Sequence, residues 1–424
     1  MVTRNTRWSA LGIAVLCWSA SLWGAPQKPV AAWAEFTGDG VSVRALVSNA
    51  VCPKASVDGE PLVLQVRQAA TAAFPLTTCQ ATAPAGARKA VVAGQKLKLT
   101  PRKLNRIVVI GDTGCRLKGT QTQPCNDPKL WPFATVTRNA AAKKPDMVIH
   151  VGDYLYRETP CPAGDAGCAG SPHGDGWASW SADFFAPAAS LLGAAPWLLA
   201  RGNHEQCTRS AVGWFSMLDA GKVPLTCPAT AAPFQVKLRG LTLDVIDTAD
   251  MVDLQLGPEK VAFYERQLPP APARMSSGTT WVVTHRPIWG YELTTIGETT
   301  IANNPLVAKV LSRLDRPPSA QLPGVDMVVS GHVHMFGTLD FGPLRPAQLI
   351  VGDSGTALEL ADTRSGQQKI DGLMTQFTVK DTFGYFLLTR KRSVWTGTLY
   401  AADDAVLATC SFHDRAATCT PQPH

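Results

Sequence analysis

Ile107-Val108-Val109-Ile110-Gly111-Asp112-Thr113-Gly114 is the stretch that decides the fold. Four β-branched residues in a row predict a strand buried on both faces, and the run stops abruptly at a glycine and a carboxylate. The same event happens four more times. Met147 to Val151 runs into Gly152-Asp153-Tyr154-Leu155-Tyr156, and Trp197 to Ala200 into Gly202-Asn203-His204-Glu205. Trp281 to Thr284 closes the block Val282-Val283-Thr284-His285, and Met327 to Val329 runs into Gly331-His332-Val333-His334. Polar residues just beyond the carboxyl ends of buried strands are where open α/β sheets carry their sites. Leu130 to Ala142, Ala182 to Leu192 and Pro258 to Gln267 can form helices between the strands, so the order alternates as in a layered α/β domain. Leu241 to Ile246 and Gln348 to Val351 supply strands without such endings, and Phe383 to Thr389, Val394 to Leu399 and Val406 to Phe412 read as antiparallel strands finishing a second sheet.

Carboxylates, a phenol, an amide and imidazoles at five strand ends read as the ligand set of a two-metal site. Dinuclear hydrolysis of a phosphate ester needs two cations about 3.5–4 Å apart that share a carboxylate, polarise the phosphoryl oxygen and supply the nucleophile. Laid out in order, the five blocks resemble those of the metallophosphoesterase (calcineurin-like) superfamily and, within it, the purple acid phosphatases: GDxG, GDxxY, GNH followed by an acid, VxxH and GHxH. The resemblance covers 107 to about 334, with a continuation to about 412. It implies an α/β fold of two packed mixed β-sheets flanked by helices. It also implies that Asp112, Asp153, Tyr156 and His334 hold one metal and Asp153, Asn203, His285 and His332 the other, with Asp153 as the bridge.

Two carboxylates and a phenolate suit Fe(III), whereas an amide oxygen with two imidazoles suits a divalent Zn, Fe or Mn. After the anionic ligands and a bridging hydroxide are subtracted, about one net positive charge remains, which favours a phosphate oxyanion. Most superfamily members place a His two residues after the first Asp. Here that position is Gly114, and the resemblance puts the Tyr156 phenolate in its place, with a violet absorbance as its signature. His204, beside Asn203, is the residue that the family turns toward substrate, to stabilise the transition state or protonate the leaving alkoxide; the alternative is that it only steadies Asn203. The activity implied is that of an acid phosphatase: phosphate monoesters hydrolysed by a metal-bound hydroxide, with an acidic to neutral optimum. A phosphodiesterase or phospholipase on the same site is the alternative, and a phosphate-binding protein without turnover a more distant one.

Several neighbours of these blocks carry less meaning. Gly352-Asp353-Ser354-Gly355 repeats the first block after the His pair, where the family has no ligand, and reads as a tight turn whose glycines take positive φ. Asp247 reads as a turn or supporting carboxylate, and His150, inside a strand, as a core histidine. Arg201, Arg286 and Glu205 adjoin ligands and are open to either a phosphate contact or a supporting role.

Arg4 and Arg7 ahead of the apolar stretch Trp8 to Trp23, followed by Gly24 and Ala25, have the layout of a secretory signal peptide over 1–25, with Ala32-Trp33-Ala34 as a later alternative cut. Of 11 cysteines, Cys17 lies in that segment. The other ten fall into neighbours, Cys52 with Cys79, Cys115 with Cys125, Cys161 with Cys168, Cys207 with Cys227 and Cys410 with Cys419, which suits disulfides and a periplasmic or secreted protein. Residues 26–100, with alternating runs such as Val41-Ser42-Val43-Arg44, suggest a small N-terminal β domain ahead of a catalytic domain over 101–424. A hydrophobic share of 45% over 424 residues is enough for a large core. The formal charge of +7 is spread along the chain, which helps attract anionic phosphates but has none of the clustered basic and aromatic residues of a nucleic-acid surface. The partner expected is a small phosphate ester, without nucleic acid and without stable membrane association.

Overall fold

The computed structural model describes residues 1, 29–251, 259, 262, 279–293, 299–303, 322–359, 365–370, 373–392 and 394–422. Two sheets dominate. The first has eleven strands, and its middle is the parallel trio Arg106–Ile110, Met147–His150 and Trp197–Leu199, in register as Val108 with Val148 and Val148 with Trp197. The second has eight, and its middle is the parallel set Leu241–Val245, Thr279–Val283, Met327–Ser330 and Ala347–Val351.

Alternation along these strands explains the packing. Ile107, Val109, Ile149 and Leu198 share one buried cluster with Leu243, Val283, Val329 and Leu349, which is the layer between the sheets. Val108, Ile110, Val148 and Trp197 point the other way, against Phe133, Val136 and Ala140 of the helix Phe133–Ala142 and against Trp180 and Phe184. Both faces are covered, so the strands are continuously apolar instead of alternating apolar with polar. The five predicted runs all form strands, ending within a residue or two of the expected boundary. The helical stretch Ala182 to Leu192 breaks into a wider turn over Ser181–Phe185, which continues the short helix Trp177–Trp180, and Ala189–Leu192. Pro187 lies in the gap and has no N–H to continue the ladder. The expected helix Pro258 to Gln267 lies outside the described residues apart from Glu259 and Ala262.

Two placements differ from expectation. The C-terminal strands Gly384–Lys391, Val394–Ala401 and Val406–His413 extend the first sheet and not the second, because Phe386 pairs with Val109 beside the first metal-block strand. Gly384–Lys391 is apolar on both sides, with Phe386 and Leu388 in the inter-sheet core and Tyr385 and Leu387 on the helix side. The N-terminal β region, read as a unit over 26–100, shares hydrogen bonds with the first sheet: Ala31–Thr37 lies parallel to Trp197–Leu199, joined at Glu35 and Trp197, and carries Gly40–Val47 with it. The short strands Ala55–Val57, Glu60–Leu62, Lys89–Val92 and Gln95–Lys98 form a separate four-stranded sheet.

The signal-like segment lies outside the described residues apart from Met1. Its later alternative cut, Ala32-Trp33-Ala34, is inside a strand in which Trp33 is fully buried. All five neighbour disulfides are present. Among the described residues no helix is long and apolar enough to cross a membrane.

Candidate metal centre

Five strands of the two parallel sets deliver their blocks to one edge of the sandwich, and the backbone there is tightly constrained. Asp112, Asp153 and His332 have φ of 55°, 60° and 72°, in the left-handed region that costs a non-glycine residue of order 1 kcal/mol or more. Such strain persists only where the surroundings over-determine it. A Cβ on Gly152, whose own φ is 108°, would stand 2.5 Å from His285 Nδ1, and one on Gly331 would stand 2.4 Å from Asp112 Oδ2. The glycines of the blocks let the strand ends close on one another.

Glu205 locks the second block. Its buried carboxylate accepts from the N–H groups of Asp153 (3.1 Å), Tyr154 (2.9 Å), Leu155 (3.3 Å) and Gly202 (3.0 Å). Burial and then the Asp153 charge push its carboxyl up to about 8, against the pull of those four donors. Glu205 is therefore a positioning residue. Arg201 is one too: it donates to Glu205 O (3.0 Å), Pro228 O (3.1 Å) and Asp247 Oδ2 (3.2 Å), and Asp247 also takes the Ala249 N–H at 2.8 Å. His150 is the core histidine expected, 3.0 Å from Thr113 Oγ1 and accepting from Gly152 N–H at 3.2 Å, with burial holding it neutral.

The remaining polar atoms gather in two groups that meet at Asp153 Oδ2. In the first, Tyr156 Oη lies 3.0 Å from Asp112 Oδ1, 2.8 Å from Asp153 Oδ2 and 3.0 Å from His334 Nε2. In the second, His285 Nε2 lies 3.3 Å from Asp153 Oδ2 and 2.9 Å from Asn203 Oδ1, and Asp153, His285 and His332 present ligand atoms within 4.8 Å of one another. His285 Nδ1–H donates to Val151 O at 2.9 Å, which leaves a lone pair on Nε2 facing the Asn203 oxygen. With His285 neutral, its Nε2 lone pair and the Asn203 oxygen are two donors that a cation between them would satisfy. Asp112, Asp153, Tyr156 and His285 are all at most 1% exposed, so no water screens them. Burial and the Asp153 charge raise Asp112, and burial followed by both carboxylates raises the Tyr156 phenol. Burial also opposes the charge on Asp153, but His285 and His204 outweigh it and hold that carboxyl well below its ordinary range. The donor set fits two cations sharing Asp153.

Gly114 cannot host the usual imidazole. A Cβ there would lie 2.7 Å from both Tyr154 O and Tyr156 N and 2.8 Å from Asp183 Oδ2. The space is filled by the backbone that carries Tyr156, and Asp183 accepts from Tyr156 N–H at 2.8 Å.

All eight sequence-selected residues are brought together, including His204, whose ring centroid is 3.7 Å from that of Tyr156. His204 Nδ1 lies 3.0 Å from Leu155 O and 2.8 Å from Glu158 Oε1, and burial lowers its basicity against the pull of Asp153 and Glu158. Three residues that sequence reading left out also arrive here. Arg209 Nη2 lies 2.7 Å from both ring nitrogens of His204 and pairs with Glu158. Arg116 Nη2 is 2.8 Å from His334 Nδ1. Arg286, which sequence left undecided, places Nη1 2.8 Å from His332 Nε2. Arg116, Glu158 and Arg209 lie two to four residues past a block, in loops with no periodic pattern to announce them.

The calcineurin-like phosphoesterase family model matches residues 105–336, more than half of the chain. The chain belongs to that family, and so to a class of phosphoester hydrolases with a dinuclear metal site. Among solved structures, it is similar to a purple acid phosphatase from yellow lupin (Lupinus luteus) seeds, at 17% identity over 91% of this chain and 74% of that one, with a TM-score of 0.56. It is also similar to PhoD, at 12% identity over 93% of this chain and 92% of that one, with a TM-score of 0.58. At these identities the likeness concerns the fold. Comparison with curated proteins finds no match.

Proposed function

We propose that the chain is an exported acid phosphatase of the purple type, hydrolysing phosphate monoesters at a dinuclear centre of Fe(III) and a divalent metal. The observation that carries this reading is the Tyr156 phenol at 2.8–3.0 Å from Asp112, Asp153 and His334, in a site where Gly114 has no room for an imidazole. Asp112, Asp153, Tyr156 and His334 would hold Fe(III), and Asp153, Asn203, His285 and His332 a divalent Zn, Fe or Mn. When bound, the pair supplies Lewis-acid polarisation of the phosphoryl group and an activated water.

The chain's own residues do the rest. Glu205 fixes the Asp153 turn by its four N–H contacts. Asn203 and His204 face substrate, and His204 stabilises the transition state or protonates the leaving oxygen. Glu158 and Leu155 O set its ring orientation. Five disulfides and the signal-like N-terminal pattern support an oxidising compartment, periplasmic or extracellular.

Metal analysis and a visible spectrum test the centre: two metals with ferric iron and a violet band support it, and a colourless two-metal protein removes Tyr156 from the ligands. Turnover of an aryl phosphate against its diester tests the substrate class. His204→Ala with both metals retained should cost roughly 10²–10⁴-fold on an alkyl phosphate; unchanged turnover would sink the role assigned to His204.

A further inference from the structure

Two carboxylates take up every backbone N–H from Asp153 to Arg157. Glu205 accepts from Asp153, Tyr154 and Leu155, and Asp183 accepts through Oδ2 from Tyr156 at 2.8 Å and from Arg157 at 3.2 Å. Glu205 adjoins a ligand in sequence. Asp183 belongs to no block and arrives from the wider turn Ser181–Phe185, a kind of helical irregularity often found at functional sites.

The same carboxylate joins two blocks. Past the strands Arg106–Ile110 and Met147–His150 the chain continues side by side: Asp112 N–H donates to Gly152 O and Thr113 N–H to Asp153 O, both at 3.0 Å, and the pairing resumes with Leu117 N–H on Tyr156 O at 3.0 Å. Between these rungs Asp183 Oδ1 accepts Cys115 N–H at 3.1 Å while Oδ2 accepts Tyr156 N–H. Cys115 and Tyr156 stand at equal distances past Asp112 and Asp153, so one side chain spans matching points of the two blocks. Its own place is over-determined. Asp183 is fully buried, Trp180 and Phe184 beside it pack into the helix-side core, and Arg157 Nε donates to Oδ1 at 2.6 Å while Nη1 reaches Ser171 Oγ at 2.6 Å. A buried carboxylate satisfied by four donors, one of them charged, loses those bonds if it shifts. The volume that Oδ2 fills is the one a side chain at 114 would need, since a Cβ there would lie 2.8 Å from it.

We infer that Asp183 is a positioning residue for the first metal group: it sets the backbone of Tyr156 and the gap between the Asp112 and Asp153 blocks. Glycine at 114 leaves room for this carboxylate, and the carboxylate in turn holds the phenol at Asp112, Asp153 and His334. Glu205 does the corresponding work for the Asp153 half of the turn. The inference rests on the reading of Asp112, Asp153, Tyr156 and His334 as the ligands of one cation, and it adds to that reading the residue that assembles them.

Asp183→Asn tests it, because the amide keeps the shape and one acceptor oxygen but turns a nitrogen toward N–H groups that need an acceptor. Loaded with ferric iron and a divalent metal, the variant should hold about one metal per chain, the divalent one, where the unaltered protein holds about two. The violet band should go with the iron, and aryl phosphate turnover should fall roughly 10–100-fold. Should the single variant fail to fold, Asp183→Asn combined with Arg157→Gln removes both charges, leaves no unpaired guanidinium and is read in the same way. A folded variant with unchanged metal content and unchanged band strength per iron would overturn the inference. Loss of both metals would overturn it too, since Asp183 would then support the whole centre and not the first group. Colour keeps the two readings apart. If the unaltered protein is colourless with two metals and Asp183→Asn falls to one, Tyr156 leaves the ligand set while Asp183 keeps its role. If the unaltered protein is violet and the variant equally so, Asp183 loses its role and the phosphatase reading stands.

Discussion

Gly111-Asp112-Thr113-Gly114 and Gly352-Asp353-Ser354-Gly355 have the same pattern, follow equally buried strands and lie against each other, yet only one feeds the site. Ser354 N–H donates to Gly111 O at 3.3 Å and Thr356 N–H to Asp112 O at 2.8 Å, so the second turn is a support under the first. Asp112, at φ 55°, turns its carboxylate to Tyr156 Oη–H and to His332 N–H, at 3.0 and 2.9 Å. Asp353 is equally buried, but among the described residues neither of its oxygens has a hydrogen-bond partner, and burial pushes its carboxyl up to about 7. The glycines of the second turn also serve differently from expectation: neither Gly352 nor Gly355 is among the positive-φ residues. Their lack of a side chain matters for space, since a Cβ would meet Val333 O at 2.0 Å or Thr113 O at 2.2 Å. One local pattern therefore places a carboxylate in the donor cluster in one case and a packing wedge in the other, and the difference lies in what the rest of the fold offers the carboxylate.

The contrast breaks most plainly on activity. Asp112→Ala should remove metal from the first group and lower turnover by more than the roughly 10–100-fold typical of losing a supporting partner, while Asp353→Ala keeps both metals. Metal analysis with aryl phosphate kinetics on the two variants checks it; similar losses in both would erase the distinction. A smaller effect comes from the disulfide that follows the first turn alone. Replacing Cys115 and Cys125 by Ser should destabilise by roughly 3 kcal/mol in urea melts, given the short closed loop. Gly355→Ala should cost about 2 kcal/mol by overpacking against Thr113 O although it touches no ligand; a neutral result would show that the two turns can separate freely.

The last effect concerns pH and stability, not turnover. In the folded protein Asp353 keeps its proton to about pH 7, whereas unfolded it loses it near its ordinary value. Across that window the folded state binds more protons, so this residue makes stability fall as pH rises. Asp353→Asn removes that dependence. The variant should gain on the unaltered chain as pH rises from 4.5 to 7.5 by about 3 kcal/mol, because the penalty for a buried amide is the same at both pH values and cancels from the difference. An equal difference at both pH values in urea melts would show that Asp353 does not titrate with folding.

Much of the site was legible because a parallel strand buried on both faces must be apolar throughout, so the first polar residue after it marks the sheet edge. Asp112, Asp153, Asn203, His285 and His332 all stand one to four residues past such an end, and the extra steps to Tyr156, His204 and His334 came from the family resemblance. Arg116, Glu158 and Arg209 were not legible, since loop residues reach a centre by the path of the loop and not by period. The sheet membership of Gly384–Lys391 was likewise hidden: a strand apolar on both sides fits the middle of either sheet, and only its pairing with Arg106–Ile110 chose one.

Residue order alone determined the strand ends, the ligand types and the local cysteine pairs, because periodicity, donor chemistry and short loop closure are properties of neighbouring residues. Which Gly-Asp block faces the cations, which arginines hold loops and which face the centre were decided only by tertiary structure. A carboxylate or guanidinium takes its role from the partners that the folded sheets bring within hydrogen-bond reach, as His332 does for Asp112 from 220 positions away.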